Sequence, residues 1–211
     1  MKMIIGAAIF FAAIPSAWAQ SGSGESGPYW SLGAGMTGED DFDYDIPGGD
    51  VEVETDAGYG VSAAYGYRFS PNFRAEANLN WNKAEIDIVR RAGGPQILIY
   101  EDPGSVESYT LGANVYWDFL TSGPIRPYVG AGLGFGSMDI NDRVMLDAGT
   151  AWRWQAVAGA EFALTDDASV FVEGRYDAWS MEVEDGIGFN DAGSDLNAET
   201  LGVYAGIKFG L

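Results

Sequence analysis

Ten consecutive residues constrain this chain more than any others. Phe73, Ala75, Ala77, Leu79 and Trp81 alternate with Arg74, Glu76, Asn78, Asn80 and Asn82. A period of two puts the first set on one side of an extended strand and the second set on the other. One side is wholly apolar and the other carries charges and amides, so the strand separates two different solvents. Its length fits a tilted bilayer crossing of about 9–11 residues better than the ~5–6 residues of an ordinary strand.

The same alternation recurs along the chain. Eight strands are expected at residues 29–37, 57–69, 73–82, 107–119, 125–136, 151–164, 169–178 and 200–211. The connections between them alternate in length. Residues 70–72, 120–124 and 165–168 are tight turns, whereas 38–56, 83–106, 137–150 and 179–199 are long. Short turns on one side and long loops on the other are the layout of a barrel crossing an outer membrane.

Alternation alone does not say which face looks outward, because a soluble barrel with an apolar lumen alternates too. Residue types decide. The polar face of the second strand carries Gly58, Gly60, Ser62, Ala64 and Gly66, and that of the fifth carries Gly130, Gly132, Gly134 and Gly136. Such small residues suit a cramped interior filled by a few long side chains. The apolar face carries Trp30, Tyr67, Phe69, Phe73, Trp117, Phe119, Phe162 and Phe209 near the short turns. Tyr59, Trp81, Tyr109, Phe135, Trp152 and Trp154 lie near the long loops. Two aromatic girdles around an aliphatic band match two membrane interfaces. The expected fold is all-β: an eight-stranded, antiparallel, up-and-down transmembrane β-barrel.

Residues 1–19 read as a cleaved export signal, with Lys2, an apolar run over 4–14 and Ala17-Trp18-Ala19 before Gln20. Residues 20–28 form a short linker and 29–211 the barrel domain. The chain has no Cys and no His, which excludes disulfides, thiol chemistry, a Ser-His-Asp triad and His-ligated zinc. No cofactor is expected, and no catalysis. A net charge of −20 argues against nucleic acid as a partner.

Three stretches, Tyr67–Glu76 (YRFSPNFRAE), Tyr128–Phe135 (YVGAGLGF) and Phe171–Tyr176 (FVEGRY), resemble the small eight-stranded barrel family. That family includes the OmpA membrane domain, OmpX, the opacity proteins and related surface antigens. The chain end is similar to the family's assembly signal, carried by Tyr204, Gly206, Phe209 and Leu211, with Leu211 where Phe is usual. The resemblance implies a bacterial outer-membrane protein with extracellular loops. It also implies contact with outer-membrane lipid and lipopolysaccharide, and with the barrel-assembly machinery through the last strand.

Alternation sends Arg68, Arg74, Arg126, Arg153, Arg175 and Lys208 into the lumen, with Glu76, Asp118, Glu161, Glu173 and Asp177. Nearly cancelling charges suit an internal ion-pair network in a filled barrel. The other reading is a charged water path, giving a narrow cation-preferring channel. The remaining acidity sits in the loops. Residues 38–56 carry Asp40, Asp41, Asp43 and Asp45 among other acids and no base, read either as a solvated loop or as weak divalent-cation ligands. Residues 84–89 and 97–100 flank Arg90-Arg91-Ala92-Gly93-Gly94-Pro95 as a hairpin, with a bulge expected near Asn82 and Lys83. Its edge is a candidate for an extracellular protein partner, or it packs under the first loop. The expected role is structural or surface-interacting.

Overall fold

The computed structural model describes residues 26–38, 40–46, 49–92, 104–121, 123–141, 150–182 and 195–210. They form β1 (Gly27–Thr37), β2 (Asp40–Ile46), β3 (Gly49–Thr55), β4 (Tyr59–Ser70), β5 (Phe73–Ala92), β6 (Ser105–Asp118), β7 (Ile125–Asn141), β8 (Thr150–Ala163), β9 (Ala168–Glu182) and β10 (Asp195–Gly210). The proposed export signal and most of the linker lie outside the described residues.

Strands β1 and β4 to β10 make a closed antiparallel wall, each pairing with its sequence neighbours and β1 with β10. The register fixes its shape. From Gly206 on β10 the ladder runs through Gly33, Ser62, Asn80, Thr110, Gly136, Ala151 and Met181, and returns to β10 at Leu196. One circuit therefore climbs ten residues along β10. Eight strands with that stagger tilt by about 40° and enclose a backbone cylinder of radius about 8 Å. That leaves room for side chains and little else.

Burial alternates along each strand in step with the sequence. On β4, Val61, Tyr65 and Tyr67 are exposed on the outside while Ser62, Gly66 and Arg68 are buried within. Outward aromatics pair across strands at the short-turn end, as in Trp30–Phe209 and Phe73–Trp117 with ring centroids 4.9 and 4.8 Å apart. Tyr59–Trp81 and Phe135–Trp152 do the same at the other end. With that tilt, the belts stand about 20 Å apart along the barrel axis, close to the apolar band of an outer-membrane barrel.

Two expectations are corrected. The segment 38–56 is not an irregular loop: it holds β2 and β3, and β3 pairs with β5 from Asp50↔Ala92 to Thr55↔Ile86. Strand β5 therefore runs for 20 residues, well beyond its expected end at Asn82. It rises about 25 Å beyond the outer aromatic belt. The bulge is also displaced. Asn82 and Lys83 pair in register with both neighbours. The shift comes between Glu54 and Thr55, opposite Ile86 and Ile88. The apolar pattern changes where β5 leaves β4 for β3, above the bilayer, because there a new partner sets the faces. The β5 edge, read as open to a partner or packed against the first loop, is taken by β3 of that loop; β2 pairs only with β3 among the described residues, and it lies close to β10. The arm expected over residues 97–100 lies outside the described residues.

Candidate functional site: the barrel lumen

The lumen is built in layers, and each layer follows from strand parity. Innermost, toward the short turns, stand Arg68 on β4, Arg74 on β5, Asp118 on β6, Arg126 on β7, Glu161 on β8 and Lys208 on β10, all buried. Glu161 is the hub. Its Oε2 accepts a hydrogen bond from Lys208 Nζ at 2.9 Å and lies 3.7 and 3.8 Å from Arg68 and Arg74. Its Oε1 lies 3.8 Å from Arg126. Asp118 sits between Arg74 at 3.3 Å and Arg68 at 3.5 Å. Charges this deep persist only when paired, because desolvation of either partner alone costs several kcal/mol, about 3–5 when one is removed.

Above this layer the filling is aromatic. The Arg74 guanidinium lies 4.4 Å from the ring centres of both Tyr116 and Tyr128, and 5.9 Å from Tyr29. The rings fit because the facing positions have no side chain. A Cβ on Gly66 would come within 2.6 Å of the Tyr29 hydroxyl, and one on Gly130 within 2.7 Å of the Tyr116 ring. Gly66 and Gly130 are therefore sockets for tyrosines, whereas Gly132 makes room for Asn114 and Gly134 lies against the Leu111 carbonyl.

The middle of the barrel is a hydrogen-bonded mesh. Tyr29 donates to Glu76 at 2.8 Å, and Tyr128 to Glu173 at 2.5 Å. Arg175 donates to Glu173 at 2.7 Å, to Asn80 at 3.0 Å and to Ser62 at 3.2 Å, and it stacks over Tyr204. Gln155 donates to Asp177 and accepts from Asn114. Toward the outer mouth, Arg153 pairs with Asp177 at 3.5 Å and faces Trp179. Val106, Ala151, Trp179 and Ala198 are buried near that end and add an apolar layer.

Residue type alone does not mark the neutral members of the mesh as lumen residues, and Tyr204, read as part of the assembly signal, is one of them. Tyr29, Tyr116, Tyr128 and Tyr204 look like girdle aromatics by type, and only their parity marks them as interior. Asn78, Asn80, Asn114 and Gln155 carry the same signal. At the chain end, Tyr204 is buried and Phe209 packs on Trp30, while Leu211 lies outside the described residues. Asp40, Asp41, Asp43 and Asp45 are on β2, with Asp40 on the opposite face from the other three; their side chains lie outside the described residues. Among the described residues no group of three or more carboxylates is placed to hold a metal ion.

One exterior pair stands just beyond the outer belt. Lys83 Nζ donates to Glu107 Oε1 at 2.8 Å, beside Tyr59, Trp81 and Tyr109. The hydrogen bond from Lys83 holds the Glu107 carboxyl below the usual carboxylate range, and the same bond raises Lys83.

A staggered closed wall, two aromatic belts and a packed polar interior define a transmembrane β-barrel of the bacterial outer membrane. Residues 5–209 match the family model described as outer membrane protein beta-barrel domain, and the chain belongs to that family. An uncharacterised protein of Brucella abortus is 29% identical over 163 residues, covering 65% of this chain and 55% of that protein. Outer membrane protein PagN of Salmonella typhimurium is 25% identical over 134 residues, 56% of each. The chain thus spans little more than half the length of these curated relatives. Among solved structures, OprG of Pseudomonas aeruginosa aligns with a TM-score of 0.60 at 12% identity, over 89% of this chain and 97% of that one. Neisserial surface protein A aligns with a TM-score of 0.52 at 16% identity, over 88% and 99%. At such identities the likeness is one of fold.

Proposed function

We propose that this protein is a closed, non-catalytic barrel that carries a β-sheet above the outer membrane for contact with an extracellular protein. The observation that supports it is the reach of β5 to Ala92, paired with β3, which lifts the sheet of β2, β3 and β5 above the outer belt. The exterior belts meet outer-membrane lipid and lipopolysaccharide, and the last strand engages the assembly machinery. The lumen carboxylates are all engaged by Arg, Lys, Tyr or Gln, which leaves no free acid–base pair for catalysis.

Two measurements test the reading. Protease added to intact cells is expected to cut within residues 40–55, and protection of that segment sinks the display role. Single-channel recording of the refolded protein in a planar bilayer is expected to be silent. The second reading, a cation-preferring channel, is favoured by the acidic residues around the outer mouth. A steady cation-selective conductance that changes in Glu76→Gln or Arg126→Gln would establish it and overturn the closed barrel.

A further inference from the structure

The interior is not completely filled. Between the aromatic layer and the hydrogen-bonded mesh lies a cavity of ≈ 20 Å³ whose wall includes Ala64, Arg74, Glu76, Asn78, Glu173 and Arg175. A water molecule needs about 10–15 Å³ and two to four polar partners, so the space takes one water and nothing much larger. Several polar atoms of its wall lack a partner: Asn78 Nδ2, Arg74 Nη2 and Nε, and the acceptor Asn114 Oδ1 are buried and make no hydrogen bond. The rest of Asn78 is committed, because its Oδ1 accepts from Asn80 at 2.7 Å. Leaving a buried donor unpaired costs about 1–3 kcal/mol, more when it is charged. Glu76 accepts from Tyr29, Tyr116 and Arg74, and Glu173 from Tyr128 and Arg175. A carboxylate's roughly four lone-pair sites leave each a place for one more donor.

We infer that the centre of the barrel is a built site for a single internal water, held by Asn78 and Arg74 as donors and by Glu76 or Glu173 as acceptor. The site ties two halves of the lumen that share no direct ion pair among the described residues: Arg74–Glu76 below at 3.5 Å, and Arg175–Glu173 above at 2.6 Å. An anion is the competing occupant, since Arg74, Arg175 and Lys208 outnumber the two glutamates on the wall. Each glutamate stands against one of those bases, so a small neutral dipole that both donates and accepts fits better than a charge.

The test uses the mature chain refolded in micelles, with the side-chain amide of Asn78 read by NMR. A cross-relaxation peak between that amide and a long-lived water, absent from Ala64→Val, is the expected result. A folded wild-type barrel without the peak overturns the inference. So does a higher urea midpoint in Ala64→Val, since filling a dry cavity stabilises and displacing a bonded water does not. Crystals grown with bromide give a further check: an anomalous peak in the cavity would assign it to an anion and reject water. The wild-type measurements stand even where the variant fails to refold.

Discussion

Lys208 and Glu161 meet at 2.9 Å inside the barrel, joining the last strand to β8 across the lumen rather than along the wall. The ammonium also lies 4.9 Å from the Tyr29 ring on the first strand. Lys208→Met is expected to lower unfolding stability by about 3–5 kcal/mol, the cost of stranding one partner of a buried pair. Glu161→Gln is expected to cost at least as much, because Arg68, Arg74 and Arg126 also rely on that carboxylate. Urea titration in micelles measures both.

The tyrosine sockets predict opposite outcomes for two glycines in the same wall. Gly66→Ala drives a Cβ into the Tyr29 ring and is expected to cost about 1–3 kcal/mol, as overpacking does. Gly174→Ala points toward lipid, where the nearest atoms are 3.9 Å away, and is expected to leave stability within about 0.5 kcal/mol. Equal losses at both positions, measured by the same titration, would remove the socket explanation.

The register of the projecting hairpin sets carboxylates against carboxylates: Asp41↔Glu54, Asp43↔Glu52 and Asp45↔Asp50. Like charges directly opposite destabilise a ladder by about 0.2–1 kcal/mol per pair. Amide exchange in β2 and β3 is therefore expected to slow several-fold from low to high salt, and in Asp43→Asn at low salt, a position chosen because Glu52 itself also stands opposite Arg90. Exchange that ignores both changes would refute the repulsion.

Acid affects the exterior pair in a defined direction. The Glu107 carboxyl is held low, so its contribution is present above the ordinary carboxylate range and is lost as pH falls through the folded value. Lys83 is raised, so its contribution is present below the ordinary lysine value and is lost as pH rises through the folded one. The pair is intact between these limits. In Lys83→Met, the side-chain NMR titration of Glu107 is expected to move to higher pH, with little change in barrel stability.

How far the sequence reveals this molecule depends on where each residue stands relative to the membrane. Between the belts, lipid outside and a cramped interior inside enforce strict parity, and Phe73 to Asn82 can be assigned residue by residue. Above the belts water lies on both sides, and the pattern loses that discipline. Asp40 to Asp45 look like loop because acids disfavour strands; only their pairing with β3 makes them one. Nor does parity say which interior residues touch. The closeness of Arg74 to Tyr116 and Tyr128 depends on a stagger of ten residues per circuit, which no single strand reveals.

That stagger closes through β1 and β10, where Tyr29 meets Gly210 at opposite ends of the domain. Until the final strand arrives, the earlier strands form an open ribbon with two raw edges and Glu161 without its lysine. A hydrocarbon medium does not tolerate such a ribbon. Closure is therefore a last-step event that depends on the most distant contact in the chain, the slowest kind to form unaided. Shortening the chain by one strand would forfeit the whole barrel rather than an eighth of it.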